Sequence, residues 1–168
     1  SSAGARSAWD AGFAIGSLVA TIAQGVTLGA LVEGVHVVNG AYAGGLFDWL
    51  SPFSLLVAAA LVVGYALLGA TWLIYKTTGR LQDKMRRYAR LAAIGTLIGI
   101  GAVSALTPVV NPVYAERWFR APAMYYTLVT PLLVAVAGVT LWRALTRPGR
   151  DVTPFLAALA LFALSFIG

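Results

Sequence analysis

The chain has 168 residues, 60% of them hydrophobic and 11% charged, with a mean hydropathy of +0.82. Soluble domains carry about 45–50% apolar and about 25% charged residues, so this composition excludes a water-soluble globule. There is no cysteine, which removes disulfides, thiolate metal sites and CxxCH haem attachment, and the net charge of +6 is read through the placement of the charges as membrane topology rather than nucleic-acid binding.

Uncharged runs occupy residues 11–32, 49–75, 91–115, 121–142 and 152–168. A helix rises about 1.5 Å per residue and the hydrocarbon core is about 30 Å thick, so four of these runs are long enough to cross and the fifth falls slightly short. The expected fold is an all-α polytopic transmembrane bundle forming one membrane domain, with about five spans at residues 12–32, 52–75, 91–106, 123–142 and 154–168. The chain opens at Ser1 without Met or a signal-peptide pattern and closes at Gly168 without an anchoring residue. Both ends read as cut, and the expectation is a fragment of a longer membrane protein.

In the first span, Gly12-x-x-x-Gly16 and Gly25-x-x-x-Gly29 supply small residues where helices in lipid must associate by close packing, so this span is expected to be buried against other helices. Gln24 is its deepest strongly polar residue; it either ties two helices together or lines a cavity, the structural option being preferred. Just beyond come Glu33 and His36, the only histidine. They share a face if the helix continues. Such a pair suits proton relay, a metal or a quinone headgroup, yet one His and one carboxylate do not make a metal site, and a solvated loop pair is the preferred reading.

Ser51-Pro52 offers an N-cap followed by proline at the first helical position of the second span. The residues from Lys76 to Arg90 read as a basic loop and topology anchor. The third span contains Gly95-x-x-x-Gly99 and is expected to close at Thr107-Pro108 and Asn111-Pro112, because the residue before a proline is pushed out of the helical region. Pro131 falls inside the fourth span and predicts a kink. Asp151 to Pro154 opens the fifth.

Ten Lys and Arg fall on the side holding the N-terminus and the second-to-third and fourth-to-fifth connections, against only Arg117 and Arg120 on the other. The positive-inside rule therefore predicts a cytoplasmic start and a periplasmic end. Trp9, Trp49, Trp72, Tyr75, Trp118, Tyr125, Tyr126 and Trp142 lie near span ends, as an interfacial aromatic belt requires. Axial haem ligation needs His, Met, Cys or Tyr aimed into a bundle; His36, Met85 and Met124 do not face one another in one membrane layer, so no haem is expected on this chain. There is no nucleophile–base pair, phosphate loop or carboxylate dyad within a span. Catalytic, cofactor-binding and metal residues are all expected to be absent, and these features leave transporter, enzyme subunit and scaffold open.

Longer words narrow the choice. Phe47-Asp48-Trp49-Leu50-Ser51-Pro52-Phe53-Ser54-Leu55-Leu56, then Gly64-Tyr65-Ala66-Leu67-Leu68-Gly69-Ala70-Thr71-Trp72-Leu73, then Lys76-Thr77-Thr78-Gly79-Arg80-Leu81-Gln82 resemble subunit II of cytochrome bd-type quinol oxidases, including the cyanide-insensitive branch. Trp9-Asp10 entering a helix and Gln24-Gly25-x-x-Leu28-Gly29 fit the same family, and the likeness runs in order from about residue 8 to 90.

The resemblance implies an eight-helix subunit of the bacterial cytoplasmic membrane. It supports a haem-bearing subunit I that oxidises quinol and reduces dioxygen, and the present spans would be the fourth to eighth. Haem b and haem d-type groups would sit in that partner, with membrane lipids and the quinol pool as further contacts, and a bound quinone is conceivable. Trp9, Asp10, Asp48, Trp49 and Pro52 carry over as architectural residues. The resemblance places Asp10 at a helix N-terminus and lets Asp48 pair with Arg117 or Arg120. An independent transporter would need matched broken helices in an inverted repeat, of which the sequence shows no sign; a plain scaffold would look the same.

Overall fold

A computed structural model describes residues 3–34, 37–38, 41–45, 47–119, 123–147, 149 and 151–167. In chain order the elements are α1 (Ala3–Glu33), β1 (Val37–Val38), β2 (Ala41–Tyr42), α2 (Pro52–Lys76), α3 (Arg80–Val110), α4 (Pro112–Phe119), α5 (Ala123–Thr146) and α6 (Thr153–Ile167). Helices make up nearly all of the described chain. The two short strands pair antiparallel, Val37 with Tyr42 and Val38 with Ala41. Among the described residues, four helical segments are long and apolar enough to cross a membrane: Arg6–Glu33, Pro52–Lys76, Arg80–Val110 and Leu128–Thr146. Helix α6 is also apolar but has 15 residues. The chain is a multi-pass helical membrane protein.

Two compact units divide the chain at Val62 and Val63, inside helix α2. In the first unit, α1 and the start of α2 approach at glycines. A Cβ on Gly25 would lie 2.3 Å from the Ala58 Cα, and one on Gly29 would lie 2.4 Å from the Ser54 Cα. Only hydrogen at these positions lets the two backbones come so close. Gly12 and Gly16 face open space, and Trp9 and Phe13 are each 80% exposed. Among the described residues of this chain, the buried face of α1 is confined to Gly25, Val26 and Gly29. Side chains of the first half are exposed on this chain.

In the second unit, aliphatic residues from four helices form one core: Leu67 and Ile74 of α2, Ala89 and Ala93 of α3, Leu141 and Leu145 of α5, and Ala158 and Leu161 of α6. Aromatic contacts border it, with Tyr65 and Phe162 centroids 5.2 Å apart and Trp72 edge-on to Phe155 at 5.1 Å. Thr71 is fully buried and donates its hydroxyl to the Leu67 carbonyl at 2.8 Å. Thr96 is buried with no hydrogen-bond partner for Oγ1.

Helix α3 departs from expectation at both ends. It begins at Arg80, so most of the basic stretch is helix and the turn after α2 shrinks to Thr77, Thr78 and Gly79. Gly79 makes this turn at φ 66°, a conformation that glycine adopts without a Cβ penalty. At the other end, Thr107-Pro108 does not close the helix, which continues to Val110 and caps at Asn111. Proline removes one backbone hydrogen bond, but ending the helix in lipid would strand several more, so continuation is favoured. Helix α4 then occupies part of the connection predicted as loop. Helix α5 likewise runs through Pro131.

Candidate functional site

The polar constellation nearest the predicted candidates joins the end of α1 to the start of α2. Ser51 caps α2 as its sequence suggests: Oγ accepts from the Ser54 N–H at 2.9 Å, and its carbonyl accepts from the Leu55 N–H at 3.0 Å. Pro52 is the first helical residue, where its missing N–H costs nothing. The same Ser51 hydroxyl donates to Glu33 Oε2 at 2.5 Å. Fully buried Ser54 donates to the Trp49 carbonyl at 2.7 Å and the Ser51 carbonyl at 2.9 Å. A half-buried carboxylate thus sits against the N-terminus of α2, where the exposed N–H groups and helix dipole favour negative charge.

The continuous helix on which Glu33 and His36 would share a face stops at Glu33. Gly34 takes φ 93° and donates its N–H to the Ala30 carbonyl at 3.1 Å, a left-handed cap that ends α1 at Glu33. His36 lies outside the described residues. Gln24 is exposed on α1, beside the Gly25 contact.

Asp48 closes a turn by accepting from the Gly45 N–H at 2.6 Å. Of its two expected partners, Arg120 and the Arg117 side chain lie outside the described residues. Trp49 contributes its carbonyl to the Ser54 network and leaves its ring half exposed. Trp9 and Asp10 are exposed in the interior of α1, which already begins at Ala3. Asp10 is therefore not at the helix entrance, and the dipole, which falls off within the first turn, does not act on it.

A second constellation gathers at the basic end of the other unit. Arg86, 16% exposed, pairs with Asp151 at 2.6 Å and donates to the Ala144 carbonyl at 3.4 Å, linking α3 to the end of α5 and the entry to α6. Gln82 donates to the Ile74 carbonyl at 2.9 Å, satisfying the end of α2 from the first turn of α3. Lys76 lies over the Trp72 and Tyr75 rings at 4.9 and 4.7 Å. The sequence signalled Gln82 only as part of a longer word. Arg86 and Asp151, 65 positions apart, carry no local signal at all.

Among the described residues, no group of three or more His, Cys, Asp or Glu is placed to hold a metal ion. Met85 packs against the aliphatic core of the second unit. The hydrogen bonds and ion pair of both constellations join helix ends or close turns; they hold the helical frame.

The family model for cytochrome bd terminal oxidase subunit II matches residues 1–168. Over 98 residues, the chain is 36% identical to the probable cytochrome oxidase subunit 2 of Haemophilus influenzae, a match covering 55% of this chain and 26% of that protein. It is 37% identical over 98 residues to the cytochrome bd-I ubiquinol oxidase subunit 2 of Escherichia coli K12, with the same shares of each chain. The match thus spans about a quarter of the length of these curated relatives.

Proposed function

Because this chain belongs to the cytochrome bd terminal oxidase subunit II family, we propose that it is part of the membrane subunit that supports a haem-bearing subunit I in a respiratory quinol:oxygen oxidoreductase. The family match along all 168 residues carries this reading. The H. influenzae and E. coli proteins are named as oxidase subunits, and the present chain takes the same part in its own complex.

Electrons would pass from the quinol pool to dioxygen through haem b and haem d-type groups of subunit I. The chain is poor in the usual haem-ligating residues. Cysteine is absent and there is one histidine, while Met85 is packed among aliphatic side chains at the basic end of the second unit. His36 and the Met124 side chain lie outside the described residues. The contribution proposed here is a frame of apolar helices in the bacterial cytoplasmic membrane, facing subunit I and lipid. Glu33, Asp48, Trp49 and Pro52 hold the α1–α2 connection, and Gln24 serves structure rather than chemistry. The excess of Arg and Lys near Lys76–Arg90 and Arg143–Arg150 supports a cytoplasmic position for that end of the helices.

The test is purification of the full-length protein through an affinity tag in mild detergent, followed by a reduced-minus-oxidised optical spectrum. A haem-bearing companion should co-purify in fixed ratio, and quinol-dependent oxygen uptake should follow it. A preparation lacking any haem protein refutes the oxidase reading. A transporter would instead show substrate-dependent flux in vesicles without a companion.

A further inference from the structure

Helices α5 and α6 leave a groove of about 480 Å³ between them, within the second unit. Its walls include Leu133, Ala137 and Thr140 of α5 and Ala157, Ala160 and Ala163 of α6. The three alanines recur every third residue, and Leu164 is the one bulky side chain on the α6 wall. The one hydroxyl on its wall is turned away: Thr140 Oγ1 donates to the Val136 carbonyl of its own helix at 2.8 Å. The groove is therefore apolar and largely open to its surroundings.

The charge at one end identifies the occupant. Positions 133, 137, 140 and 143 follow helical spacing, so Arg143 continues the groove stripe beyond Thr140, and Arg147 follows just past the end of α5, its N–H donating to the Arg143 carbonyl at 2.9 Å. Both arginines are exposed. Among the described residues neither has a carboxylate partner, since nearby Asp151 is held by Arg86. Leu133 and Arg143 are ten positions apart, about 15 Å along a helix, which is half of the roughly 30 Å hydrocarbon core. When Leu133 lies near the bilayer centre, Arg143 reaches the headgroups. Trp142, partly exposed at the same level, suits that interface.

We propose that this groove seats one acyl chain of an anionic phospholipid whose phosphate is held by Arg143 and Arg147. A membrane helix from another chain would find no counterpart for the two guanidinium groups unless it brought carboxylates; a phospholipid brings both the chain and the charge in the required order. Each basic residue near an anionic headgroup favours it about fivefold, so the pair should select an anionic over a zwitterionic lipid by about 25-fold.

The test is native mass spectrometry of the intact full-length complex in mild detergent, titrated separately with dioleoyl phosphatidylglycerol and dioleoyl phosphatidylcholine. The wild type should retain one phosphatidylglycerol with that preference. The R143Q/R147Q variant should bind both lipids equally, and R143K/R147K should keep most of the preference. Loss of two arginines also weakens the topology signal, so A160L/A163L provides a separate arm: these exposed alanines can enlarge without touching the core, filling the groove while leaving the charges. It should lose the retained lipid. Retention in A160L/A163L, an unchanged preference in R143Q/R147Q, or a protein helix found seated in the groove would each overturn the proposal.

Discussion

Replacing Gly25 or Gly29 by alanine probes the tightest glycine contacts among the described residues. The added Cβ at position 25 would stand 2.3 Å from the Ala58 Cα, whereas carbon atoms rest at about 3.5 Å or more. The obstacle is backbone, so no rotamer change relieves it, and α1 and α2 must separate locally by about 1 Å. Overpacking of this kind costs about 1–3 kcal/mol, or roughly a five- to 150-fold shift toward the unfolded state. One separation accommodates both new methyl groups, so G25A/G29A should cost less than the sum of the single variants. Nor should A58G rescue G25A, because it removes the Ala58 Cβ and leaves the Cα in place. The assay is reversible denaturation of the full-length protein in mixed detergent micelles, with G69A as control because a Cβ there meets nothing within 4 Å. Wild-type stability in both G25A and G29A, or full rescue by A58G, refutes the argument from close approach.

Ser51→Ala removes both the α2 cap and the hydrogen bond to Glu33, and should lower stability by about 1–2 kcal/mol; Glu33→Gln, which keeps an acceptor, should cost less in the same denaturation assay. A double-mutant cycle with R86Q and D151N should give a coupling of no more than about 1 kcal/mol, because water reaches the half-exposed Asp151 and screens the pair. A larger coupling would indicate that the pair is shielded in the assembled complex. Thr96→Val replaces a buried hydroxyl without a partner by an isosteric methyl group, so it should raise stability by about 1 kcal/mol. A destabilised T96V would mean that the hydroxyl does find a partner in the full assembly.

Helices were legible where hydrophobic length or local chemistry alone decides them. The run after Ser51-Pro52 announced its start through an N-cap and a first-turn proline, and the cap is made as expected. Helix limits depart from the sequence pattern where a local rule competes with the membrane. Pro108 disfavours a helical residue before it, but the cost of stranding backbone groups in lipid outweighs that preference, and α3 continues. Charge misled similarly: six basic residues between Lys76 and Arg90 resembled a solvated loop, although all but Lys76 lie within α3, whose 31 residues extend about 46 Å. That length exceeds the roughly 30 Å hydrocarbon core, so a charged first portion can be helical and still remain outside it.

The candidate polar site was half legible for a different reason. The sequence pairs Glu33 with His36 only on a continuous helix, and the left-handed Gly34 ends that helix after Glu33. Glu33 instead meets Ser51, a residue visible in sequence only as a cap. A serine hydroxyl can accept from its own helix and donate outward at once, so a cap that sequence reads as local punctuation becomes the link between two spans. The glycine words show the same dependence on partners. Gly12-x-x-x-Gly16 and Gly25-x-x-x-Gly29 are equivalent as text, yet only the second faces a backbone within this chain. Spacing proposes where two helices can meet; whether they do depends on the residue that the other helix brings to that level.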